Sequence, residues 1–403
     1  MEAHITDYRQ AHQVLCNPHL RQSLYDAGDV IMKGVLLTLH GRQHVDRRHL
    51  ALTVFKRDYA RYYEREVFPA TLRATLAPLR GEPLIDALAF GRSVSMNLTA
   101  DFAGIDRDTD SQTTATLQRL TGTFGEGATL VHSTRNHDEV RAEVRAALAE
   151  YRELFLNPSI ARRQELLDAY QNGRLDEASL PRDMLTVLLA NFAELQLDED
   201  GLAREIAFYL QAGSHSTANA FAHALWELLT WIGNDAARRV ALVADPLAMQ
   251  RAVHEALRLH PASPVAWRQP LDALDFDWGL HVDPADRLIV DIAAANRDAK
   301  VFGDDAEAFR PDRTVNDKRA NRFGLTFGIG VHNCLGRDID AGLPPGVDTD
   351  PDNHQYGTVT LLTRHFIADL GATFDPDDPP VPDGETSRPN WGRLPVRIRW
   401  ENS

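Results

Sequence analysis

The sequence predicts a mainly α-helical protein with a small β-region. Apolar residues recur at three- and four-residue spacing through most of residues 1–260, which is the pattern of helices with one buried face. Residues 264–295 change to short strands and turns, and residues 296–336 are irregular and rich in Pro, Asp and Gly. Of the 403 residues, 43% are hydrophobic and 25% are charged, so the chain can bury a large core.

Composition and charge exclude several classes of protein. No apolar run approaches the ~18 residues of a membrane span, and the first residues lack the features of a signal peptide. We therefore expect a cytoplasmic protein without a membrane partner, folded as a single domain over residues 1–403. The net charge of -15 has the wrong sign for a nucleic-acid-binding protein. The two cysteines, Cys16 and Cys334, exclude a disulfide scaffold and leave one of them available as a ligand.

Two of the helical segments are long. Residues 137–156 and 201–233 both carry apolar residues at helical spacing. In the second segment these residues spread around much of the helix circumference, which predicts a central helix covered by neighbours on several sides. A polar run at residues 213–217 interrupts this helix, although buried helices are usually apolar. We therefore treat this run as a candidate functional segment.

The densest motif surrounds Cys334. Glycines on both sides of this cysteine let the backbone approach a flat ligand closely and aim several N–H groups at one point. A sulfur held by such donors ahead of a helix is expected to have a depressed pKa and to serve as an anionic metal ligand. An arbitrary free cysteine is more often a buried and inert residue, so the surrounding residues decide between these alternatives.

Those residues read Phe-Gly-x-Gly-x-His-x-Cys-x-Gly, which resembles the haem-binding loop of the cytochrome P450 superfamily. The six fixed positions would match by chance on the order of once in a million such chains. The resemblance covers nearly the whole chain and implies a P450-like helical fold with a reduced β-region and with haem b as the cofactor. It makes Cys334 the metal ligand, the axial thiolate of the haem iron. The other loop residues that it assigns to cofactor binding are Phe327, Gly328, Gly330, His332 and Gly336.

Two further segments resemble the same family and occur in the expected order. Glu255 and Arg258 match its Glu-x-x-Arg helix motif, and their i, i+3 spacing puts both charges on one helix face. Alone, such a pair is more often part of a solvated face. Residues 296–313 resemble the meander that precedes the haem loop. This resemblance makes Arg313 the structural partner of Glu255 and Arg258.

Haem has two propionates, and each carboxylate needs charge-assisted hydrogen bonds in a partly buried site. Four residues match the positions that bind propionates in the family: His44 and Arg48 on one helix, Arg268 after the Glu-x-x-Arg helix, and His332 before the cysteine. A rival interpretation takes His40 and His44 as zinc ligands. It lacks support because the chain has no His-Glu-x-x-His motif.

The polar run in the long helix departs from the family pattern. Relatives commonly have Ala-Gly-x-Asp/Glu-Thr-Thr, whose acid and hydroxyl help to deliver protons, whereas residues 212–217 read Ala-Gly-Ser-His-Ser-Thr. The resemblance makes His215, Ser216 and Thr217 the catalytic candidates, and it lets Ala212 and Gly213 leave space above the iron. Three roles are open for His215, namely proton transfer near its ordinary pKa of ~6.5, contact with substrate, or a hydrogen bond to a helix carbonyl.

Two further departures concern architecture. The motif of His44 and Arg48 comes early, so we expect the opening segment to lack most of the first helix and of the first strands of the small sheet. The Gly-, Pro- and Asp-rich loop at 341–355 is expected to interrupt the helix after the cysteine, on the face where an electron donor docks in relatives. Basic residues near that face could meet an acidic ferredoxin or form a merely solvated surface; they are Lys318, Arg319, Arg322 and Arg337.

The resemblance implies a haem-thiolate monooxygenase. Such an enzyme would oxidise a small organic molecule, in bacterial secondary metabolism, with dioxygen and two electrons from ferredoxin and ferredoxin reductase. Two alternatives remain: a P450-type enzyme with diverted chemistry, such as peroxide-driven oxidation, nitration, coupling or dehydration, and a non-catalytic haem-binding scaffold. By analogy, the walls of the substrate pocket are residues 30–36, 264–267 and 390–393.

Overall fold

A computed structural model describes residues 1–108, 110–317 and 319–400 of the chain, and most of them are helical. The α-helices are α1 Tyr8–Cys16, α2 Asp29–Met32, α3 Gly41–Ala51, α4 Arg57–Tyr62, α5 Phe68–Leu76, α6 Ala87–Ala103, α7 Ser111–Ala128, α8 His137–Tyr151, α9 Asn157–Gln171, α10 Met184–Ala190, α11 Glu199–Ile232, α12 Ala236–Ala244, α13 Pro246–Leu259, α14 Ile292–Ala295, α15 Ala299–Phe302, α16 Arg337–Asp340 and α17 Thr358–Arg364. None of these helices combines the length and the apolar character needed to cross a membrane.

The strands are two to six residues long. They are β1 Glu2–Ile5, β2 Leu20–Gln22, β3 Leu84–Asp86, β4 Val265–Pro270, β5 Leu274–Asp275, β6 His281–Val282, β7 Arg287–Asp291, β8 Thr373–Phe374, β9 Val381–Pro382, β10 Trp391–Arg393 and β11 Pro395–Arg397. Short 3-10 and π turns join or extend the helices, among them Leu36–Thr38, Tyr63–Val67 and Gly330–His332. The predicted fold class, mainly helical with a small β-region, is confirmed.

The central helix is α11, as the sequence predicts. It begins where Asp198 accepts a hydrogen bond from the amide of Gly201, and it ends at Gly233, whose φ of 49° stops the helical ladder. The helix packs closely against α6, because a Cβ added to Gly213 would lie 2.8 Å from Oγ1 of Thr99. Gly91 of α6 meets the ring of Phe221 in the same interface. The small residues therefore bring the two helices together and bury α11 over most of its length.

The main sheet has the strand order β1-β7-β4-β2, with β1 parallel to β7 and the other pairs antiparallel. Two of its four strands, and α1 between them, come from the first 22 residues. The expectation that the opening segment lacks these elements is wrong, because strands of three and four residues are enough to pair with β4 and β7. A second antiparallel sheet has the order β3-β11-β8, and the pairs β10-β9 and β5-β6 complete the β-region.

Apolar side chains form two buried clusters. The larger cluster joins the helices and includes Leu36, Phe102 and Leu257. The smaller cluster lies between α1 and the main sheet and includes Leu15 and Leu288. Residues of both clusters line one large cavity, which therefore lies where the helical body meets the sheet.

Buried ion pairs fix the segment that leads to the cysteine. Glu255 and Arg258 do pair, with Nε and Nη2 of Arg258 donating to the carboxylate at 2.8 and 2.7 Å. Nε of Arg313 donates to the same carboxylate at 2.7 Å. The two guanidinium groups also donate to carbonyls of the meander, including those of Asn296 and Phe302. Since all three charged side chains are at most 2% exposed, this cluster holds α13 against the meander.

The loop at 341–355 does interrupt the helix after the cysteine, because α16 ends at Asp340 and α17 begins at Thr358. Buried polar side chains shape the loop from inside. The Nε2 of Gln250 lies 3.0 Å from the carbonyls of Ala341 and Leu343, and the carboxylate of Glu64 accepts hydrogen bonds from two amides at the end of the loop. The loop is thus built into the fold at both ends.

Candidate functional site

The loop around Cys334 forms a tight turn ahead of α16. The amide of Cys334 donates to the carbonyl of Phe327 at 2.8 Å, and Gly328 adopts a φ of +63°, which favours glycine. The thiol lies within the protein and is exposed to the large cavity rather than to the outer surface. Cys334 is therefore positioned to bind a ligand in that cavity.

The cavity has a volume of about 350 Å³, which is in the ordinary range for small-molecule sites. Its walls come from α3, α6, α11, β4 and the cysteine loop. The predicted site residues that line it are His44, Arg48, Ala212, Gly213, His215, Ser216, Thr217, Arg268, Phe327, Gly328, His332, Cys334 and Gly336. Residues far apart in sequence thus share one chamber, as the resemblance implies.

The expected depression of the thiol pKa is not found. Burial raises the pKa of Cys334 to about 11, with Asp340 adding to the rise. The amide of Gly336 acts in the opposite direction, as the glycine-rich loop predicts, but it is outweighed. The earlier expectation is wrong because it counted the N–H donors and left out the cost of removing a thiolate from water.

Four cationic or proton-donating side chains meet beside the cysteine loop. Helix α3, which carries His44 and Arg48, is fixed to α11 by the buried ion pair of Arg47 and Glu205, at 2.9 Å. The rings of His44 and His332 are 4.5 Å apart, and Nη2 of Arg48 donates to the carbonyl of Asn333 at 2.8 Å. His44, Arg48 and His332 are therefore held in place by contacts with neighbouring protein groups.

This group lacks an anionic partner among the described residues. Nε2 of His44 and Nε2 of His332 are both buried without a hydrogen-bond partner. Arg268 is 3% exposed and donates only to the carbonyl of Trp267, its neighbour in the chain, and burial lowers its pKa to about 10. Buried donors that are unsatisfied in this way indicate a site for carboxylates.

The polar residues of α11 have three different environments. The ring of His215 packs on Gly125 of α7, and burial lowers the pKa of His215 to about 4, with the backbone of Thr121 acting in the opposite direction. All three roles considered for His215 stay predictions. The hydroxyl of Ser216 donates to the carbonyl of Ala212 one turn earlier in the helix.

Thr217 contacts a residue that the sequence analysis did not single out. Its hydroxyl donates to Oδ1 of Asp340 at 2.8 Å. Burial raises the pKa of Asp340 to about 7. Asp340 lines the cavity and is the last residue of α16, directly before the loop at 341–355. Its position next to this loop was the feature of the sequence that could have indicated a role in the site.

Two glycines make close contacts that the sequence analysis did not predict. Gly213 makes room for Thr99 of α6 as well as lining the cavity. Gly330 does not line the cavity, and a Cβ there would lie 2.7 Å from the carbonyl oxygen of Leu15. Its assignment to cofactor binding stays a prediction, and the structure shows in addition that Gly330 lets the cysteine loop approach the backbone of α1.

This contact predicts that Gly330→Ala destabilises the protein more than Gly34→Ala. Both glycines have a φ of +73°, which costs an L-residue about 1–2 kcal/mol, but nothing lies within 4 Å of a Cβ added to Gly34. The overlap with α1 adds to that cost at Gly330 only. Free energies of unfolding from urea titrations of the two variants measure the difference, and equal losses would contradict the close contact.

The predicted pocket walls are partly corrected. Leu36, Val265 and Ala266 line the cavity, but no residue of 390–393 does. Arg388, two residues earlier, lines it instead and was missed. A single arginine in a loop with Ser and Pro belongs to no motif. Only its closeness in sequence to the predicted wall at 390–393 could have indicated that it lines the cavity.

The basic residues predicted near the cysteine differ in their exposure and in their ion pairs. Arg319 is exposed, whereas Nε of Arg337 donates to Asp338 at 2.8 Å. Arg322 is half-buried, and burial lowers its pKa. Lys318 lies outside the described residues.

Comparisons with known proteins agree with the motif. The family model for cytochrome P450 matches residues 239–339. Pulcherriminic acid synthase of Bacillus subtilis is 24% identical over 82% of this chain and 77% of its own length. The cytochrome P-450 monooxygenase DoxA of Streptomyces peucetius is 30% identical over 43% of this chain and 38% of its own length. A Mycobacterium tuberculosis protein with the name cytochrome P450 137 is 31% identical to this chain where the two match. The match spans only 33% of that protein's length.

Solved structures show the same fold. P450BioI, crystallised with an acyl carrier protein that bears hexadec-9Z-enoic acid, superposes with a TM-score of 0.74 at 17% identity, covering 98% of this chain and 92% of P450BioI. CalO2 superposes with a TM-score of 0.73 at 16% identity, covering 99% of this chain and 91% of CalO2. The cysteine loop, the helical fold, the family model over residues 239–339 and these relatives all support the cytochrome P450 superfamily, whose members bind haem.

Proposed function

We propose that this protein is a monooxygenase that oxidises a small organic molecule with dioxygen and two electrons from a ferredoxin-type donor. The observation that carries the proposal is the thiol of Cys334 in the wall of the large cavity. The polar segment of α11 lines the same cavity, so a ligand bound to the sulfur and a substrate share one chamber.

The residues present fit haem b. The buried, unpartnered Nε2 atoms of His44 and His332, together with the buried guanidinium of Arg268, suit the two propionates, and Arg48 adds a cation to the group. Cys334 would supply the axial sulfur. When bound, haem supplies the activation of dioxygen, in which one oxygen atom enters the substrate and the other leaves as water.

The residues of α11 would manage protons and water near the reacting atoms. Ser216 has a hydroxyl on the cavity wall, and its bond to the carbonyl of Ala212 fixes the direction of the donated hydrogen. Thr217 is held by Asp340. His215 is neutral near pH 7, because its pKa is about 4, so it can donate one N–H without adding charge to the cavity.

The names of the relatives support an organic substrate of bacterial secondary metabolism. They include a pulcherriminic acid synthase and a 2-hydroxy-5-methyl-1-naphthoate 7-hydroxylase. The exposed Arg319, near the cysteine loop in sequence, supports docking of an acidic ferredoxin. The replacement of the family's usual acid by His215 is the observation that favours the second candidate, peroxide-driven or otherwise diverted chemistry.

The test uses the protein produced with a haem precursor. The reduced protein with carbon monoxide is expected to show the spectrum of sulfur coordination, and oxygen uptake with ferredoxin and ferredoxin reductase is expected to rise with a substrate drawn from a natural-product library. Product formed with hydrogen peroxide but not with reduced ferredoxin would establish the second candidate. Sulfur coordination without oxygen uptake for any compound would contradict both and indicate a non-catalytic haem protein.

A further inference from the structure

Arg388 is a half-buried cation in the cavity that the proposed haem site does not use. It lies in the loop between β9 and β10, and its guanidinium reaches the cavity wall beside α7. Nη2 donates to Oγ1 of Thr129 at 2.9 Å, and Nη1 lies 3.4 Å from the carbonyl of Ala262. These contacts fix the group in place without neutralising its charge.

Most of the donors of Arg388 remain free. A guanidinium has five N–H donors, and the two contacts occupy at most two of them. Nε is buried and has no hydrogen-bond partner, and within the described ranges no carboxylate forms an ion pair with Arg388. Burial lowers the pKa of Arg388, and the more distant Tyr25 and Asp383 only partly oppose this effect.

Arg388 lies in a different part of the cavity from the four residues suited to propionates, which are His44, Arg48, Arg268 and His332. The charges that lower the pKa of His332 are those of Arg268, His44, Arg48 and His40. Arg388 instead contacts Thr129 at the end of α7, and its charge lowers the pKa of His132 and, after that of Arg92, the pKa of His215. The four residues suited to propionates thus form one group, and Arg388 faces the region above α11.

We propose that Arg388 binds the carboxylate of an organic acid substrate whose apolar part extends through the cavity toward Cys334. This inference rests on the proposed function. The apolar part would contact the side chains of Val265, Ala266 and Ile292, which line the same cavity. A carboxylate matches one guanidinium in charge and can accept two parallel N–H bonds. A phosphate dianion would leave an excess negative charge in the cavity, since no second free cation accompanies Arg388 among the described lining residues on this side.

The test compares matched acids and amides. The probes are 3-phenylpropanoic acid with 3-phenylpropanamide, and decanoic acid with decanamide, titrated by calorimetry into the haem-loaded protein. A charge-assisted hydrogen bond predicts that each acid binds roughly 10- to 100-fold more tightly than its amide. Arg388→Gln is expected to remove this preference, and Arg388→Lys to restore part of it. The matched control is Arg393→Gln in the adjacent strand, because Arg393 pairs with Asp378 and does not line the cavity.

Haem retention separates the alternatives. Arg388→Gln is expected to keep its haem as the unmodified protein does when an excess of a haem-accepting protein is added, whereas Arg268→Gln is expected to lose haem faster. Faster haem loss in Arg388→Gln would overturn the inference and make Arg388 a propionate partner. Acids that bind no better than their amides, whether both bind or neither does, would also overturn it. A protein without the spectrum of sulfur coordination would contradict the proposed function itself.

Discussion

Replacing Cys334 by serine is expected to abolish the spectrum of sulfur coordination in the reduced protein with carbon monoxide and to reduce turnover to background. The reason is that the thiol of Cys334 faces the cavity that the four residues suited to propionates also line. A hydroxyl at this position is a weaker and harder ligand than a thiolate. Absorption spectra of the variant measure the effect directly, before any substrate is known.

Cys16→Ser is the matched control, because the chain has only these two cysteines. Cys16 ends α1, and its side chain does not line the cavity. This variant is expected to keep both the spectrum of sulfur coordination and the activity. Sulfur coordination that survives in Cys334→Ser and disappears in Cys16→Ser would refute the assignment of the ligand.

The sequence predicted those parts of the site that depend on short spacings. The turn around Cys334, the pair of His44 and Arg48 one helical turn apart, and the pair of Glu255 and Arg258 on one helix face are all local geometries. Their positions could be read from the residues because neighbouring backbone geometry fixes them. The long central helix was predictable for the same reason, since its apolar residues cover most of its circumference.

The parts that could not be predicted depend on contacts between distant segments. Arg388 reaches the cavity only because the loop between β9 and β10 lies against Thr129 and Ala262, and no periodicity encodes that approach. Gly330 lies in the cysteine motif, yet its role is set by the carbonyl of Leu15 in α1. The pKa of Cys334 depends on burial, which a motif does not report. Local patterns therefore predict the candidate ligand, whereas the cavity around it follows from tertiary packing.

Glu255→Gln is expected to lower the free energy of unfolding by about 3–5 kcal/mol, the usual cost of breaking a buried ion pair from one side. Glu255 accepts hydrogen bonds from Arg258, from Arg313 and from the amide of Arg310, and its side chain is fully buried. A neutral amide would leave the guanidinium of Arg258 in the interior without a counter-charge and would leave Arg313 paired with Asp305 alone. Chemical denaturation followed by the helical signal in circular dichroism measures the loss.

The loss of stability in Glu255→Gln should come from the burial of the ion pair and not from the number of ion pairs broken. Asp46→Asn breaks an exposed i, i+4 pair with Arg42, and we expect no measurable change in the free energy of unfolding. If Glu255→Gln yields no folded protein, Asp305→Asn removes one partner of Arg313 and should give a smaller loss in the same direction. A Glu255→Gln variant as stable as Asp46→Asn would mean that carbonyl contacts alone hold α13 to the meander. The carboxylate of Glu255 would then have no part in positioning the segment that carries Cys334.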